Sequence, residues 1–198
     1  RDFLGEYPHI SVHLAISDTG DIETRVLNGE LELGGVGSRS SRKEAIAHRL
    51  WRDELFLAVW SGHRWFGRPE VSIEELSEEP FILREAGSGT FKILAHYLEA
   101  SGLKSAQALK PVARLGSSTA VKEGIKAGLG VSVLSSRAIG SEVKAGMLWA
   151  LRIKELHLTR HFYLIRDRRR IASPLCQAFF GYLLNTCQED DPKAPDQD

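Results

Sequence analysis

Apolar and polar residues alternate in the first part of the chain, from His9 to Ile16. A period of two predicts a β-strand with one buried face. The next segment, 17–29, begins with turn and N-cap residues, continues with apolar residues at helical spacing, and ends in Asn28-Gly29, so it predicts a short helix. A second short strand is predicted over 31–37, where glycines allow backbone or ligand to approach closely. Together the three segments predict one β-α-β unit.

The middle of the chain alternates between strand and helix patterns. An apolar run over 55–60 comes first, and Ser72 with Glu75 three residues later predicts a capped short helix over 72–76. From Pro80 onwards the predicted order is strand 81–84, helix 91–100, strand 111–115, helix 119–127 and strand 131–134. Strands that alternate with helices at this spacing predict parallel sheets covered by helices.

The last part of the chain predicts a strand over 161–165, a helix over 173–187 and an acidic tail over 189–198. The helix has an apolar stripe that predicts packing against a sheet; it consists of Cys176, Phe179, Phe180, Leu183, Leu184 and Cys187. Its two cysteines lie about 16 Å apart along the helix axis, beyond the reach of about 7 Å for a disulfide, so we expect buried free thiols. The tail has no large apolar side chain and is predicted to be disordered.

Length and charge limit the possible functions. The chain has 198 residues, which suits one large domain or two small ones that share a chain crossover. Its 26 basic and 26 acidic residues cancel, so it lacks the basic surface on which binding to nucleic acid or acidic membranes normally depends. No apolar run approaches the roughly 20 residues that span a bilayer. If DNA is involved, we expect another segment to contact it.

Two hydroxyl-rich turns each stand between a predicted strand and a predicted helix. The first contains Ser88, Gly89 and Thr90, and the second contains Ser117, Ser118 and Thr119. The N–H groups at a helix start, the positive end of the helix dipole and nearby hydroxyl groups together form a site for an anion. In the first turn, Gly87 and Gly89 are expected to permit unusual φ values and close approach. The two turns predict a receptor for a small anion.

Each turn also has a simpler explanation, in which its hydroxyl groups only cap the following helix. Because capping and ligand binding can share one turn, both explanations stay open. A third candidate group, Gly37, Ser38 and Arg39, follows the strand predicted over 31–37 and could face the same ligand. Arg39 or Arg42 could bind a carboxylate bidentately, although a solvated surface arginine is the commoner case.

Other chemistries lack sequence support. The basic run Arg166–Arg170 contains Asp167 and precedes the last helix, which favours a solvated turn over a phosphate or DNA contact. The histidines form no zinc motif. Gly128-Leu129-Gly130 follows a helix and is therefore predicted to end that helix, not to bind a dinucleotide. No phosphate-binding loop, nucleophile elbow or nucleophile beside a base is found. We therefore expect no catalytic residue, no metal and no cofactor.

Four stretches of the chain form a series with a familiar order and spacing. They are Glu6–Ile10, Leu27–Gly34, Arg84–Thr90 and Val121–Val131. Small Gly/Ser turns are common, so each stretch alone has limited specificity. Taken together they resemble the effector-binding, or regulatory, domain of LysR-type transcriptional regulators, and the resemblance covers nearly the whole chain.

The resemblance implies an α/β fold with two Rossmann-like subdomains of the periplasmic-binding-protein type II kind, joined by two crossovers. Subdomain I would comprise 1–78 and 160–188, and subdomain II would comprise 79–159, with the effector in the cleft. The residue pattern agrees, because a new structural unit is predicted to begin near Pro80 and the chain is predicted to return to the first unit near Leu158. Members of the family begin this domain with a strand and a Ser/Thr-bearing loop, so we expect both to precede Arg1 in a longer chain.

The implied function is effector sensing in a bacterial, cytoplasmic transcription regulator that is not an enzyme. A small anionic metabolite would bind in the cleft, and a winged helix-turn-helix outside this segment would contact promoter DNA. The resemblance further implies a homodimer or tetramer and no membrane contact. Two alternatives stay open. One is a periplasmic solute-binding protein for a small anion, and the other is an enzyme on the same bilobal fold, which would need a catalytic group in the cleft.

Overall fold

The chain divides into two compact units in the computed structural model, which describes residues 2–102, 109–154 and 156–188. Unit 1 contains Arg1–Arg52 and His161–Asp198, and unit 2 contains Asp53–Arg160. The chain therefore passes between the units twice. The first boundary predicted from the sequence, near residue 78, lies inside unit 2. The predicted disordered tail, 189–198, lies outside the described residues.

The described residues form seven helices and eight strands. In chain order they are α1 (Asp2–Glu6), α2 (Thr19–Asn28), β1 (Gly34–Val36), β2 (Ala45–Trp60), β3 (Glu70–Val71), α3 (Ile73–Ser77), β4 (Pro80–Arg84), α4 (Gly89–Ala100), β5 (Lys110–Leu115), α5 (Ser118–Lys126), β6 (Ser132–Ser135), α6 (Ser136–Lys144), β7 (Leu148–Ile153), β8 (Thr159–Asp167) and α7 (Pro174–Gln188). Within that part of the chain, no helix is both long and apolar enough to cross a membrane.

Unit 1 forms around the predicted helix α2. Asp18 caps this helix by accepting hydrogen bonds from the N–H groups of residues 20 and 21, and Gly29 ends it with a φ of 79°, as predicted. In the sheet of this unit, β8 lies between β1 and β2, and β1 is antiparallel to β8. The small apolar core between helix and sheet consists of Ile22, Val26, Val36 and Ile165.

The segment 9–16, predicted as a strand, has no regular secondary structure. Three of its four alternating apolar side chains, those of Val12, Leu14 and Ile16, are exposed, and Ile16 reaches 86% exposure. No strand among the described residues pairs with this segment, so its backbone lacks the ladder of hydrogen bonds that a strand requires. The predicted strand is therefore wrong, and with it the predicted first β-α-β unit.

The basic loop between β8 and α7 is a turn, as predicted, and its arginines cap a helix. Arg169 and Arg170 donate hydrogen bonds to the carbonyl oxygens of Leu27 and Asn28, at 3.0 and 3.1 Å, where α2 ends. Arg169 also donates to the buried carboxylate of Asp167 at 2.7 Å. These hydrogen bonds hold the pKa of Asp167 well below its ordinary value. The positive charges of this loop therefore stabilise the negative end of the α2 dipole within unit 1.

Helix α7 carries both cysteines as buried free thiols, as predicted. Burial raises the pKa of the Cys176 thiol above its ordinary value. Cys187 packs with Leu50 and Leu164 of the two long strands. Phe180, Leu183 and Leu184 pack in the same cluster, so this part of the stripe faces the sheet of unit 1 as predicted. Phe179 packs instead on Phe3 of α1, with ring centroids 5.0 Å apart.

Unit 2 contains the predicted series of strands and helices. The elements β4, α4, β5, α5 and β6 begin and end within one or two residues of their predicted limits. Helix α3 begins with the predicted capping box, because Ser72 Oγ accepts from Glu75 N at 3.2 Å and Glu75 Oε2 accepts from Ser72 N at 3.0 Å. Helix α6 and strand β7 were not predicted.

The strands of unit 2 are only partly parallel. β4 and β5 are parallel, as predicted, and a parallel bridge between Phe81 and Val131 joins β4 to the entry of β6. The second half of β2, however, is antiparallel to both β6 and β7. The expectation of wholly parallel sheets is therefore wrong, because β2 enters unit 2 as a crossover strand and not through a β-α-β repeat.

Two glycines shape the passage from α5 to β6. Gly128 ends α5 with a φ of 74°, as predicted. A Cβ atom on Gly130 would lie 2.5 Å from the carbonyl oxygen of Pro80. That same oxygen accepts a hydrogen bond from Val131 N at 2.8 Å. Gly130 is therefore required by the close approach of two strands.

Candidate functional site

The two hydroxyl-rich turns lie at the same edge of unit 2. Strands β4 and β5 run parallel with Arg84 opposite Leu115, so both strands end at this edge. The turn after β4 leads into α4, and the turn after β5 leads into α5. Ligands of parallel α/β sheets bind beyond the carboxyl ends of the strands. The structure therefore brings together two of the three candidate groups.

Ser88 stands at the N-cap of α4 but does not cap this helix. Its side chain makes no capping hydrogen bond, nor any other to the described residues, although the residue is only 3% exposed. A hydroxyl group without a protein partner keeps its donor and its acceptors available for a ligand or an ordered water. The explanation that the first turn serves only as a cap is therefore wrong for Ser88.

Thr90 lies one residue inside α4, and its buried hydroxyl group contacts an arginine. Thr90 Oγ1 accepts a hydrogen bond from Arg160 Nη1 at 3.1 Å. Helix α4 begins at Gly89, so the N–H groups of its first turn have no intrahelical acceptor. Neither Gly87 nor Gly89 has a φ in the left-handed region, so the expectation of unusual φ values there is wrong. Gly89 serves instead as a helix start.

The second turn divides its hydroxyl groups between two roles. Ser117 Oγ accepts a hydrogen bond from Ala120 N at 3.1 Å and so caps α5. Ser118 Oγ accepts a hydrogen bond from Arg84 Nη1 at 2.8 Å. Thr119 is exposed on the first turn of α5. The capping explanation is therefore confirmed for Ser117, whereas Ser118 links the second turn to the first.

Arg84 is the residue that joins the two turns. Besides its bond to Ser118, its guanidinium group donates to both carboxylate oxygens of Glu85, from Nε at 2.9 Å and from Nη2 at 2.7 Å. The side chains of Arg84 and Glu85 are 12% and 22% exposed. Arg114 supports the same strand end by donating from Nη1 to the backbone oxygen of Arg84 at 2.9 Å.

A second arginine lies in a buried network of unit 2. Arg160 Nε donates to Asp53 Oδ2 at 2.9 Å, and Asp53 Oδ1 accepts from Ser135 Oγ at 2.7 Å. Burial lowers the pKa of Arg160, and the Asp53 carboxylate acts in the opposite direction. Through its bond to Thr90, this network fixes the first turn of α4 to the strands that enter and leave unit 2.

The two arginines determine which way the hydroxyl groups can act. A guanidinium group only donates hydrogen bonds, so Thr90 and Ser118 must accept from Arg160 and Arg84. Each hydroxyl group then has its own proton left to donate. Together with the Ser88 hydroxyl and the first N–H groups of α4, they form a set of donors. Such a set favours an anion.

The third candidate group lies elsewhere. Gly37, Ser38 and Arg39 follow β1, where Gly37 is buried and Arg39 is exposed. All three belong to unit 1, and so does Arg42, whereas both hydroxyl-rich turns belong to unit 2. Their part in a ligand site stays a prediction.

The sequence analysis missed Arg84, Glu85, Asp53 and Arg160 as candidates. Arg84 and Glu85 lie in the stretch 84–90 that carries the family resemblance, so a signal for them was present. Asp53 and Arg160 are 107 positions apart, and no local pattern connects them. Across the described part of the chain, no cluster of three or more His, Cys, Asp or Glu could hold a metal ion.

A family model and several curated transcriptional regulators match this chain. The family model described as "LysR substrate binding domain" matches residues 1–188. The uncharacterized HTH-type transcriptional regulator YeiE of Escherichia coli K12 is 31% identical over 179 residues, which cover 89% of this chain and 59% of that protein. The chain thus spans about three fifths of the length of the curated relatives it matches.

Solved structures agree with this match. The CcmR regulatory domain of Synechocystis PCC6803, in complex with 2-PG, has a TM-score of 0.83 at 27% identity and covers 94% of this chain and 88% of that chain. The effector binding domain of QuiR, in complex with shikimate, also has a TM-score of 0.83, at 16% identity, and covers 95% of this chain and 88% of that chain. These likenesses confirm the predicted periplasmic-binding-protein type II fold.

Proposed function

The chain belongs to the LysR substrate-binding domain family, and we propose that it is the effector-sensing part of a bacterial LysR-type transcription regulator. Its effector is a small anion that binds at the two hydroxyl-rich turns of unit 2. Regulators of this family bind small-molecule effectors and form oligomers. The family consists of transcriptional regulators, which are not enzymes.

The observation that carries the proposal is the hydroxyl group of Ser88, a residue that is 3% exposed but does not cap the helix that it precedes. A serine used only for folding would accept from an N–H group of α4, as Ser117 does in α5. Ser88 is instead left with its donor and acceptor capacity beside the first-turn N–H groups and Thr90. This arrangement suits a ligand that accepts several hydrogen bonds at once.

The ligand class follows from the donors and is supported by two structural neighbours. Hydroxyl protons, helix N–H groups and guanidinium groups favour carboxylate, phosphate or sulfate. The CcmR and QuiR domains were solved with 2-PG and shikimate, both of which are small anions. An anionic metabolite is therefore the effector class that we propose for this chain.

Signal transfer requires a partner outside this segment. We place promoter binding in a winged helix-turn-helix that precedes the segment in the cytoplasmic protein, since the charge of the chain sums to zero. The effector acts by binding one arrangement of the subdomains or protomers better than another. The functional assembly is a homodimer or tetramer.

Each proposed subdomain contains candidate ligand residues. Subdomain I, proposed as 1–78 and 160–188, contains Gly37, Ser38 and Arg39 after β1. Subdomain II, proposed as 79–159, contains Ser88, Gly89, Thr90, Ser117, Ser118 and Thr119. Matches to transcriptional regulators favour this function over a periplasmic solute-binding protein on the same fold.

A thermal-shift assay tests the proposal with sulfate, phosphate, shikimate and 2-phosphoglycolate as separate probes. An anion at 100 times its Kd stabilises the folded state by about 2.7 kcal/mol, which raises Tm by roughly 5–10 °C for a chain of this size. We expect Ser88→Ala to reduce that shift strongly. The control is Ser101→Ala, which removes an exposed hydroxyl group at the other end of α4.

The result is informative in either direction. A shift that persists in Ser101→Ala and disappears in Ser88→Ala would place the anion at the first turn. Equal Tm shifts in both variants would show that the anion does not contact Ser88. The absence of a Tm shift with all four probes would contradict the proposed ligand class.

A further inference from the structure

We propose that Glu85 is an internal competitor for the effector. Its carboxylate holds the guanidinium group of Arg84, and an anionic effector must take that group from it. The inference rests on the proposed function, since it concerns the same site. It adds Glu85 as a residue that lowers the affinity of the site, because its carboxylate competes with the ligand for Arg84.

The first argument is the geometry of the pair. Arg84 Nε and Nη2 donate to the two carboxylate oxygens of Glu85, at 2.9 and 2.7 Å. This bidentate arrangement is also the one in which arginine binds the carboxylate or phosphate group of a ligand. Glu85 therefore occupies the edge of the guanidinium group that such a ligand would use.

The second argument is the position of the pair between the two turns. The remaining nitrogen, Arg84 Nη1, donates to Ser118 Oγ at 2.8 Å. Glu85 also holds the first turn through its backbone, because its carbonyl oxygen accepts from Ser88 N at 3.0 Å. Neither of these two hydrogen bonds uses the Glu85 carboxylate, so both can persist when that carboxylate leaves Arg84.

The third argument comes from a comparison of the two arginine pairs. The Asp53 side chain is fully buried and its two oxygens bind Arg160 and Ser135, so its release would leave buried charges unpaired. The Glu85 side chain is 22% exposed and can turn towards water at a smaller cost. Of the two guanidinium groups, Arg84 is the one whose partner can be exchanged.

The fourth argument concerns charge. Three arginines, Arg84, Arg114 and Arg160, and two carboxylates, Asp53 and Glu85, lie around the turns. When all are ionised, the excess is one positive charge while Glu85 stays in place. Neutralising Glu85 raises this excess to two positive charges and strengthens the attraction for an anion. The structure thus assigns to Glu85 a control of anion affinity.

Titration calorimetry of the full chain with 2-phosphoglycolate and with shikimate tests this role. Glu85→Gln keeps the size of the side chain and removes its charge, and we expect it to tighten anion binding about three- to tenfold. Glu85→Ala is a second variant that should tighten binding in the same direction. Arg84→Gln should weaken binding.

The matched control is Glu54→Gln, which also removes one negative charge from an arginine–glutamate pair of unit 2. Glu54 pairs with Arg152 at 3.2 Å, and both side chains are well exposed. Glu54→Gln should leave anion affinity unchanged within about twofold, because exposed charges are screened. An equal gain in anion affinity in Glu85→Gln and Glu54→Gln would show that the gain comes from the net charge of the chain alone. That result would overturn the role of Glu85.

The remaining outcomes separate this inference from the proposed function. If the natural chain binds the anion and Glu85→Gln binds it with equal or lower affinity, the competitor role is overturned, whereas the proposed anion site is retained. Binding that is measurable only after Glu85→Gln or Glu85→Ala would support the competitor role in its strongest form. Binding by none of the variants would overturn both the inference and the proposed anion site.

Discussion

Asp53→Ala tests how strongly a buried ion pair supports unit 2. The Asp53 side chain is fully buried and that of Arg160 is 8% exposed. The carboxylate of Asp53 also accepts a hydrogen bond from Ser135 Oγ at 2.7 Å. The substitution removes this carboxylate and leaves the positive charge of Arg160 in a buried position without its counter-ion.

The expected loss follows from that burial. Removing one partner of a buried ion pair costs about 3–5 kcal/mol, because the remaining charge is desolvated and uncompensated. A chain of 150–250 residues loses roughly 2–4 °C of Tm for each kcal/mol. We therefore expect Asp53→Ala to lower Tm by roughly 6–20 °C.

The adjacent residue gives the control. Glu54 pairs with Arg152, but the two side chains are 40% and 56% exposed. Exposed pairs of this kind contribute about 0–1 kcal/mol, so Glu54→Ala should lower Tm by only a few degrees. Urea unfolding followed by circular dichroism measures both variants, and the slope of the transition reports whether the surface exposed on unfolding stays the same.

A double variant sharpens the test. Asp53→Ala combined with Arg160→Met removes both charges, so it should recover part of the stability that Asp53→Ala alone loses. The reasoning would be refuted by an Asp53→Ala cost no larger than that of Glu54→Ala. It would also be refuted by fully additive losses in the double variant.

Three further predictions concern other positions. Gly130→Ala should cost about 1–3 kcal/mol in urea unfolding, because its Cβ would lie 2.5 Å from the Pro80 carbonyl oxygen; an unchanged midpoint would contradict this. Ser117→Ala should cost about 1 kcal/mol through loss of a helix cap, and a near-zero cost would show that the cap hydrogen bond is unimportant. Burial and Arg166 lower the pKa of His48 below its ordinary 6.5, so the unfolded state takes up the proton first as pH falls. Stability should therefore decrease below about pH 6.5, and His48→Gln should flatten that decrease.

Much of unit 2 could be predicted from the sequence because its signals are local. Capping residues, glycine helix ends and short apolar runs fix the limits of β4, α4, β5, α5 and β6 within one or two residues. The position of two hydroxyl-rich turns at one sheet edge follows from the parallel order of β4 and β5. Local patterns therefore indicate where the candidate site lies.

The rest depended on contacts between distant residues. The alternation over 9–16 indicates a strand, but a strand forms only when another strand supplies hydrogen bonds. Ser88 and Ser117 occupy equivalent turns, yet only Ser117 caps its helix. Arg160 reaches Thr90 from 70 positions away. Such features arise from tertiary packing, which a single sequence without aligned relatives does not encode in any local pattern.

The ion pair between Asp53 and Arg160 also joins the two ends of a continuous segment. These residues are the first and the last of unit 2, and close by, Leu55 N donates to Leu158 O at 2.8 Å. A folded segment whose ends meet resembles a module inserted into a host at a single position. Its ends could be connected by a short linker and its chain opened elsewhere, so unit 2 is suited to circular permutation and to separate production.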